Sequence, residues 1–214
     1  MDRTRRSTLV ALALAALGGT RLAHAQQPGV NYTVLKPEQP VTAPGKVEVF
    51  EFFWYGCIHC YNLEPELETW LRKLAPDVQF RRVLAIFNPR WAHDAAMFFS
   101  LEAMGVGEKL HRPLFDAIHQ ERLRTDDAKA LNAWLQKQGV DVKRFEEVIK
   151  SFGVQSKVRQ AQQLTVAYRI EGTPAMAVHG RYTVSIDQGG GQRGMLGVVD
   201  HLVALTRKSL PARG

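Results

Sequence analysis

Residues 50 to 65 read FEFFWYGCIHCYNLEP, and the chain's only two cysteines, Cys57 and Cys60, both lie within it. Before them, VEVFEFF (Val47 to Phe53) is β-branched, aromatic and nearly all apolar, the composition of a strand covered on both faces. Glu51 is a charge that does not fit. After them the pattern changes to helical: Cys60, Leu63, Leu67, Trp70, Leu71 and Leu74 recur at spacings of three and four. Pro65 lies inside this run and cannot donate the usual backbone hydrogen bond, so a kink is expected near it. The stretch is therefore a strand, a turn and a helix, with a Cys-x-x-Cys pair at the junction.

That position gives the pair its chemistry. Cys57 falls at the helix N-terminus, where unpaired N–H groups and the positive end of the macrodipole favour an anion, so its thiolate is stabilised. His59, between the cysteines, can add a donor or a positive charge beside the same sulfur. A stabilised thiolate leaves readily from a mixed disulfide, and stabilising the reduced form makes the oxidised pair a strong oxidant. Cys60, one turn in and on the apolar stripe, reads as the buried resolving thiol. Competing uses fit less well. A structural disulfide across so short a loop removes little chain entropy. Zinc lacks a second pair of ligands, and haem attachment needs histidine where Tyr61 stands.

Outward from this centre, VQFRRVLAIF (Val78 to Phe87) reads as a second strand, parallel to the first through a right-handed crossover. Residues 91 to about 168 read as helices, with Thr125 and Asp141 as caps and a last segment from Gln155 to Tyr168. PAMAV (Pro174 to Val178) and RYTVSI (Arg181 to Ile186) form a hairpin about His179-Gly180, and Met195 to Lys208 a closing helix. NYTVL, near residue 33, reads as a short edge strand. GGGQRG (Gly189 to Gly194) fits GxGxxG, but no parallel strand and no acid about twenty residues on follow it, so it reads as a loop.

Composition limits the function classes. The 45% apolar content of 214 residues supports a core that needs no disulfide staple. Residues 1–25 read as a secretory signal, with Arg3, Arg5 and Arg6, an apolar run from Leu9 to Leu17, and Ala23-His24-Ala25 as the cleavage pattern. An uncleaved anchor is the alternative to cleavage, and either the general or the twin-arginine route fits. Without the leader the chain keeps 24 basic and 20 acidic side chains, a net +4, and no basic stripe interleaved with aromatics points to nucleic acid.

Two side chains keep two readings each. Glu51 shares a strand face with Val49 and Phe53. It is either a buried acid relaying a proton to or from Cys60 or an edge carboxylate paired with Arg81 or Arg82. Pro174 either opens an ordinary strand or follows a cis bond that exposes the Thr173 backbone to an extended peptide. Glu64 reads as a surface charge.

Taken together, the leader, EFFWYGCIHC after a buried strand, the helical insertion and GTPAMAVHGRY before a hairpin resemble the periplasmic DsbA thiol:disulfide oxidoreductases of Gram-negative bacteria. The resemblance spans essentially all of the mature chain. It implies an α/β architecture, a thioredoxin fold with an inserted helical domain: 26–89 and 168–214 forming the thioredoxin-like parts and 90–167 the insertion. It implies a periplasmic enzyme that donates its Cys57-Cys60 disulfide to newly exported polypeptides and is reoxidised by a DsbB-like, quinone-coupled membrane protein. No cofactor or metal beyond that disulfide is implied, and nothing demands more than a monomer. Carried over by position, Cys57 is the nucleophile, Cys60 the resolving thiol, His59 the intervening histidine, Pro174 the cis-proline and Glu51 the buried acid, with Ile58 and Thr173 touching substrate. Ile58 stands where the family commonly has proline, and Thr173 where it often has valine. A reductase or isomerase on the same fold is the nearest alternative, and a Cu(I)-binding or chaperone-like module one from another class.

Overall fold

The computed structural model describes residues 26–43 and 45–210. The expected secretory signal, residues 1–25, lies outside them. Five strands, β1 (Thr33–Val34), β2 (Val47–Phe53), β3 (Val78–Leu84), β4 (Ala175–Val178) and β5 (Tyr182–Ser185), form one sheet in the order β1-β5-β4-β2-β3. Helix α1 (Ile58–Leu71) crosses between the parallel pair β2 and β3, and α7 (Gln192–Ser209) follows the β4-β5 hairpin. Five helices lie between β3 and β4: α2 (Pro89–Ala103), α3 (Gly107–His119), α4 (Ala128–Lys137), α5 (Val142–Val148) and α6 (Phe152–Ala167).

Strand β2 is buried at every residue, Glu48 and Glu51 included, and its alternation divides two cores. Val47 and Val49 face Leu63 and Leu67 of α1 and Val199 and Leu202 of α7. Phe50 and Phe52 face Tyr168 and the layer formed by the intervening helices. The sheet thus has helices on both faces. Its junction with α1 sits at the carboxyl end of β2, the place where open α/β sheets present their ligands.

Local chemistry sets the element ends, and some differ from the sequence reading. Strand β3 stops at Leu84 rather than Phe87, because Asn88 caps α2 by accepting from the Trp91 N–H and Pro89 fills the first turn. Asp141 caps α5 as expected, but α4 is capped by Asp127, not Thr125. Thr125 is buried and donates instead to Asp94 at 2.6 Å. Helix α6 starts three residues earlier than expected, with Ser151 as cap. The hairpin turn places His179 and Gly180 at φ +51° and +68°, the left-handed pair that suits a two-stranded twist. At Gly180 a Cβ would meet the Gln39 carbonyl oxygen at 2.1 Å.

The GGGQRG segment serves packing. A Cβ on Gly194 would lie 1.9 Å from the Gly189 carbonyl oxygen, and one on Gly189 2.4 Å from the Met195 Cα. These glycines let the loop fold back against the first turn of α7.

Candidate active site

Cys57 is the N-cap of α1, its extended backbone turning the chain out of the strand. The preceding turn is closed by a hydrogen bond from the Cys57 N–H to the Trp54 carbonyl, 3.0 Å. Gly56 is required there, since a Cβ would meet the Trp54 ring at 2.3 Å. The Trp54 ring stacks on Trp91 at 4.3 Å, and its indole N–H donates to Asp94 at 2.8 Å. Asp94 is buried and also accepts from Thr125. The helical layer thereby clamps the turn that carries the cysteines.

Both cysteines are thiols, Cys57 half-buried and Cys60 fully buried. The Cys57 sulfur accepts from the Cys60 N–H at 3.4 Å. It lies 3.3 Å from the Thr173 carbonyl oxygen, to which its thiol form donates. Hydrogen bonding by the Cys60 thiol holds the Cys57 thiol down at about 5; the Thr173 side chain and the backbone N–H groups of Cys60 and His59 add to this, against burial, which raises it. Cys60 moves the other way: burial, its hydrogen bond to Cys57 and the charges of Cys57 and Glu51 push it well above the ordinary thiol range. The two sulfurs are thus driven apart, one toward thiolate and the other toward thiol.

The remaining expected residues divide. The Thr173-Pro174 bond is cis, and Pro174 leads directly into β4, which pairs with β2; this brings Thr173 against Cys57 across 116 residues of chain. Ile58 stands 48% exposed beside the sulfur. His59 is exposed, and its hydrogen bonding to the Cys57 sulfur is through its backbone N–H.

Glu51 is buried, as the first sequence reading has it, and stands beside Arg82, as the second has it, but it is not an edge carboxylate. It is fully buried, and it faces Arg82 because the parallel register of β2 and β3 sets the two opposite each other. Arg82 Nε lies 3.2 Å from Glu51 Oε2. Burial raises the Glu51 carboxyl to about 8, with Arg82 opposing and Glu64 and Cys57 adding to the rise.

The expectation of a surface Glu64 is overturned. Glu64 is completely buried on α1, accepting from Arg82 Nη2 at 3.0 Å and facing His111 Nε2 at 3.0 Å. His111 Nδ1 is 2.9 Å from the Tyr55 hydroxyl. The reason is helical spacing: Glu64 is four residues from Cys60, on the same apolar stripe. An acid inside an apolar stripe was the available signal. Arg82 and His111 carried a weaker one, since nothing in β3 or α3 alone points to Glu64.

Among the described residues no group of three or more potential metal ligands occurs, and no helix is long and apolar enough to cross a membrane.

A family model described as DSBA-like thioredoxin domain matches residues 77–193. A protein of Bordetella pertussis named thiol:disulfide interchange protein DsbA is 42% identical over 201 residues, covering 92% of this chain and 96% of its own length. One of the same name from Azotobacter vinelandii is 40% identical over 181 residues, 85% of each chain. The crystal structure of Pseudomonas aeruginosa DsbA superposes with a TM-score of 0.80 at 38% identity, covering 85% of this chain and 94% of that one. The oxidoreductase DsbA of Xylella fastidiosa gives 0.77 at 29% identity, with 83% and 95% covered.

Proposed function

Since this chain belongs to the DSBA-like thioredoxin family and is a thiol:disulfide oxidoreductase, we propose that it works as an oxidant, passing the Cys57-Cys60 disulfide to polypeptides entering the periplasm. A substrate thiolate attacks the Cys57 sulfur, forming a mixed disulfide and breaking the Cys57-Cys60 bond. Cys60 leaves as a thiolate and takes a proton from the Glu51 carboxyl. The second substrate thiolate attacks its own sulfur in the mixed disulfide and releases Cys57 as a thiolate. Two electrons pass from substrate to enzyme, and the substrate keeps the new disulfide.

The observation that carries this reading is the opposed state of the two sulfurs. Cys57, held at about 5 chiefly by the Cys60 thiol and further by Thr173 and the backbone donors of the first turn, is a good leaving group for the last step. Buried Cys60 needs a proton when it leaves and must lose it on reoxidation, and the Glu51 carboxyl, raised to about 8, is poised for both transfers near neutral pH. Thr173, with Pro174 fixing its backbone, and exposed Ile58 form the surface for an extended substrate, which main-chain hydrogen bonds would hold. His59 supplies a backbone donor to the sulfur. Reoxidation falls to a DsbB-like, quinone-coupled membrane protein, and residues 1–25 serve as the export signal. Residues 90–167 act as one inserted helical unit between 26–89 and 168–214.

The test is the equilibrium of the Cys57-Cys60 pair against glutathione, followed by the fluorescence of Trp54, whose ring covers Gly56. A potential of roughly −120 mV, a value measured on a member of this family and not worked out from this structure, supports the oxidant. One of roughly −270 mV, the thioredoxin range, would make the protein a reductase and overturn the proposal.

A further inference from the structure

Two fully buried carboxyls, Glu51 on β2 and Glu64 on α1, share one guanidinium, that of Arg82 on β3. If both were ionised, a net negative charge would be left in the protein interior, which costs more than protonating one of them. Near neutral pH one of the two therefore carries a proton, and the geometry distinguishes them. Both oxygens of Glu64 are engaged, Oε2 by Arg82 Nη2 and Oε1 by His111 Nε2, each at 3.0 Å. Neither oxygen of Glu51 has an aligned hydrogen bond; Arg82 Nε approaches to 3.2 Å but its N–H points off line. Ionised carboxylates are stabilised by donors. Glu64 has two well-formed donors, and Glu51 only the poorly formed approach of Arg82 Nε.

We propose that His111 is a positioning residue for the proton chemistry of Cys60: by donating from Nε2 to Glu64 it keeps that group an anion against Arg82 and leaves Glu51 as the carboxyl that holds the proton. An ionised Glu64 can only accept, so the neutral ring would carry its proton on Nε2, 3.0 Å from Glu64, leaving Nδ1 to accept from the Tyr55 hydroxyl at 2.9 Å. Without His111, Glu64 would keep its Arg82 Nη2 hydrogen bond but lose the partner on its other oxygen, and the two buried carboxyls would differ less. The other charged groups acting on this centre are Glu68 on α1 and Arg112 on α3, while Glu102 at the end of α2 acts on Tyr55. Arg82 and His111 also line a groove of about 750 Å³ that neither cysteine lines. Arg82 and His111 thus border that groove away from the cysteines, while both carboxyls stay buried. Burial lowers the His111 imidazole, and the hydrogen bond to Glu64 opposes this. Glu64 itself lies below the ordinary carboxyl value: burial pushes it up, but the hydrogen bond and charge of His111, then Arg82 and Arg112, outweigh it.

The inference rests on Glu51 serving Cys60, and its test is kept separate from that role. The carboxyl carbons of Glu51 and Glu64 would be followed by NMR as pH is varied in the reduced full chain, with E51Q and E64Q assigning the signals. In the wild type Glu64 is ionised throughout the neutral range while Glu51 titrates at about 8. His111→Phe removes the donor, and the Glu64 midpoint then rises by about one to two pH units, the worth of a hydrogen bond to a charged group. The two carboxyls also begin to show each other's steps, as coupled sites do. His111→Gln keeps an N–H donor and holds the Glu64 midpoint within about half a unit of wild type, which loss of packing alone would not predict. An unchanged Glu64 midpoint in H111F overturns the proposal. A measurement on the wild type needs no variant: the ¹⁵N shifts of His111 should place its proton on Nε2, and a proton on Nδ1 with a bare Nε2 facing Glu64 overturns the proposal equally. Resolution of a mixed disulfide at Cys57 by Cys60, compared between wild type and E51Q, tests Glu51 as the proton carrier. If its pH profile is unmoved in E51Q, the role of Glu51 fails while the carboxyl titrations still decide that of His111.

Discussion

Replacing Cys60 by alanine removes the largest influence holding the Cys57 thiol at about 5, the hydrogen bond from its neighbour's thiol, and keeps the backbone N–H of residue 60, 3.4 Å from the sulfur. A hydrogen bond to a charged group contributes about 1.5–3 kcal/mol, and one pH unit corresponds to about 1.4 kcal/mol. The Cys57 midpoint should therefore rise by about one to two units, to about 6–7. The lower end is favoured, because the sulfur is half exposed and solvent screens it. The variant keeps one sulfur, so the ultraviolet absorbance of its thiolate, or its alkylation rate as a function of pH, reads Cys57 alone. Cys60→Ser restores a donor and should bring the midpoint most of the way back. A midpoint still at about 5 in C60A would refute the reasoning and leave the helix N-terminus as the sole cause. A full return to the ordinary 9.0 would refute it from the other side, by leaving the backbone donors and Thr173 without effect.

The reduced protein should gain stability over the oxidised one as pH rises. Cys57 titrates at about 5 when folded against 9.0 ordinarily, so its contribution is complete above the higher value and lost as pH falls through the lower. Urea midpoints of the two redox forms across that window check the sign, and a gap that narrows with rising pH would contradict it. Asp94→Ala leaves the Trp54 indole N–H and the buried Thr125 hydroxyl without their acceptor. It should cost about 2–4 kcal/mol in urea unfolding and alter Trp54 fluorescence; Asp94→Asn, which keeps one acceptor oxygen, should cost less. Two glycines of α7 should respond oppositely to alanine. G194A drives a Cβ to 1.9 Å from a backbone oxygen and should lose about 1–3 kcal/mol. G197A, in a helix interior with nothing within 4 Å of the new Cβ, should gain about 0.5–1 kcal/mol. Equal thermal midpoints for the two variants would show the close approach at Gly194 to be without cost.

Much of the fold was legible because its deciding features are local and periodic. The nearly all apolar run of β2, the three-and-four spacing of α1 and the turn residues between β4 and β5 each state a period, and each element formed on its pattern, though α1 ends at Leu71 rather than Leu74. The parallel pairing of β2 with β3 follows from the crossover rule, and the inserted helices from the length of chain between β3 and β4, while the pairing of β4 with β2 is seen only in the structure. The misplaced boundaries have one cause. Asn88, Asp127 and Ser151 compete with neighbouring residues for the same capping duty, and the winner depends on where the preceding chain is tethered. Thr125 lost the cap of α4 because Asp94 of α2, 31 residues earlier, claimed its hydroxyl. The cis bond before Pro174 is likewise set by what packs around it, and residues 173–174 taken alone fit either isomer.

The site divides along the same line. The Cys57-Cys60 pair announced itself through spacing and position, since a helix N-terminus acts on whatever stands there. The charged centre behind it did not, because its parts come from four elements and no two are neighbours in sequence. Glu64 lies 18 residues from Arg82 and 47 from His111, and each looks ordinary where it stands. The one trace is negative: Glu51 in a doubly covered strand and Glu64 in an apolar helical stripe are acids where water cannot follow. A buried acid obliges the fold to bring a cation or a proton. Arg82 supplies one cation for two acids, and the shortfall of one is what leaves a proton inside, beside a thiol that must gain and lose one in every cycle. On this reading the mismatch is functional, and a variant that repaired it with a second buried cation would settle the interior electrostatically while removing the proton that Cys60 needs.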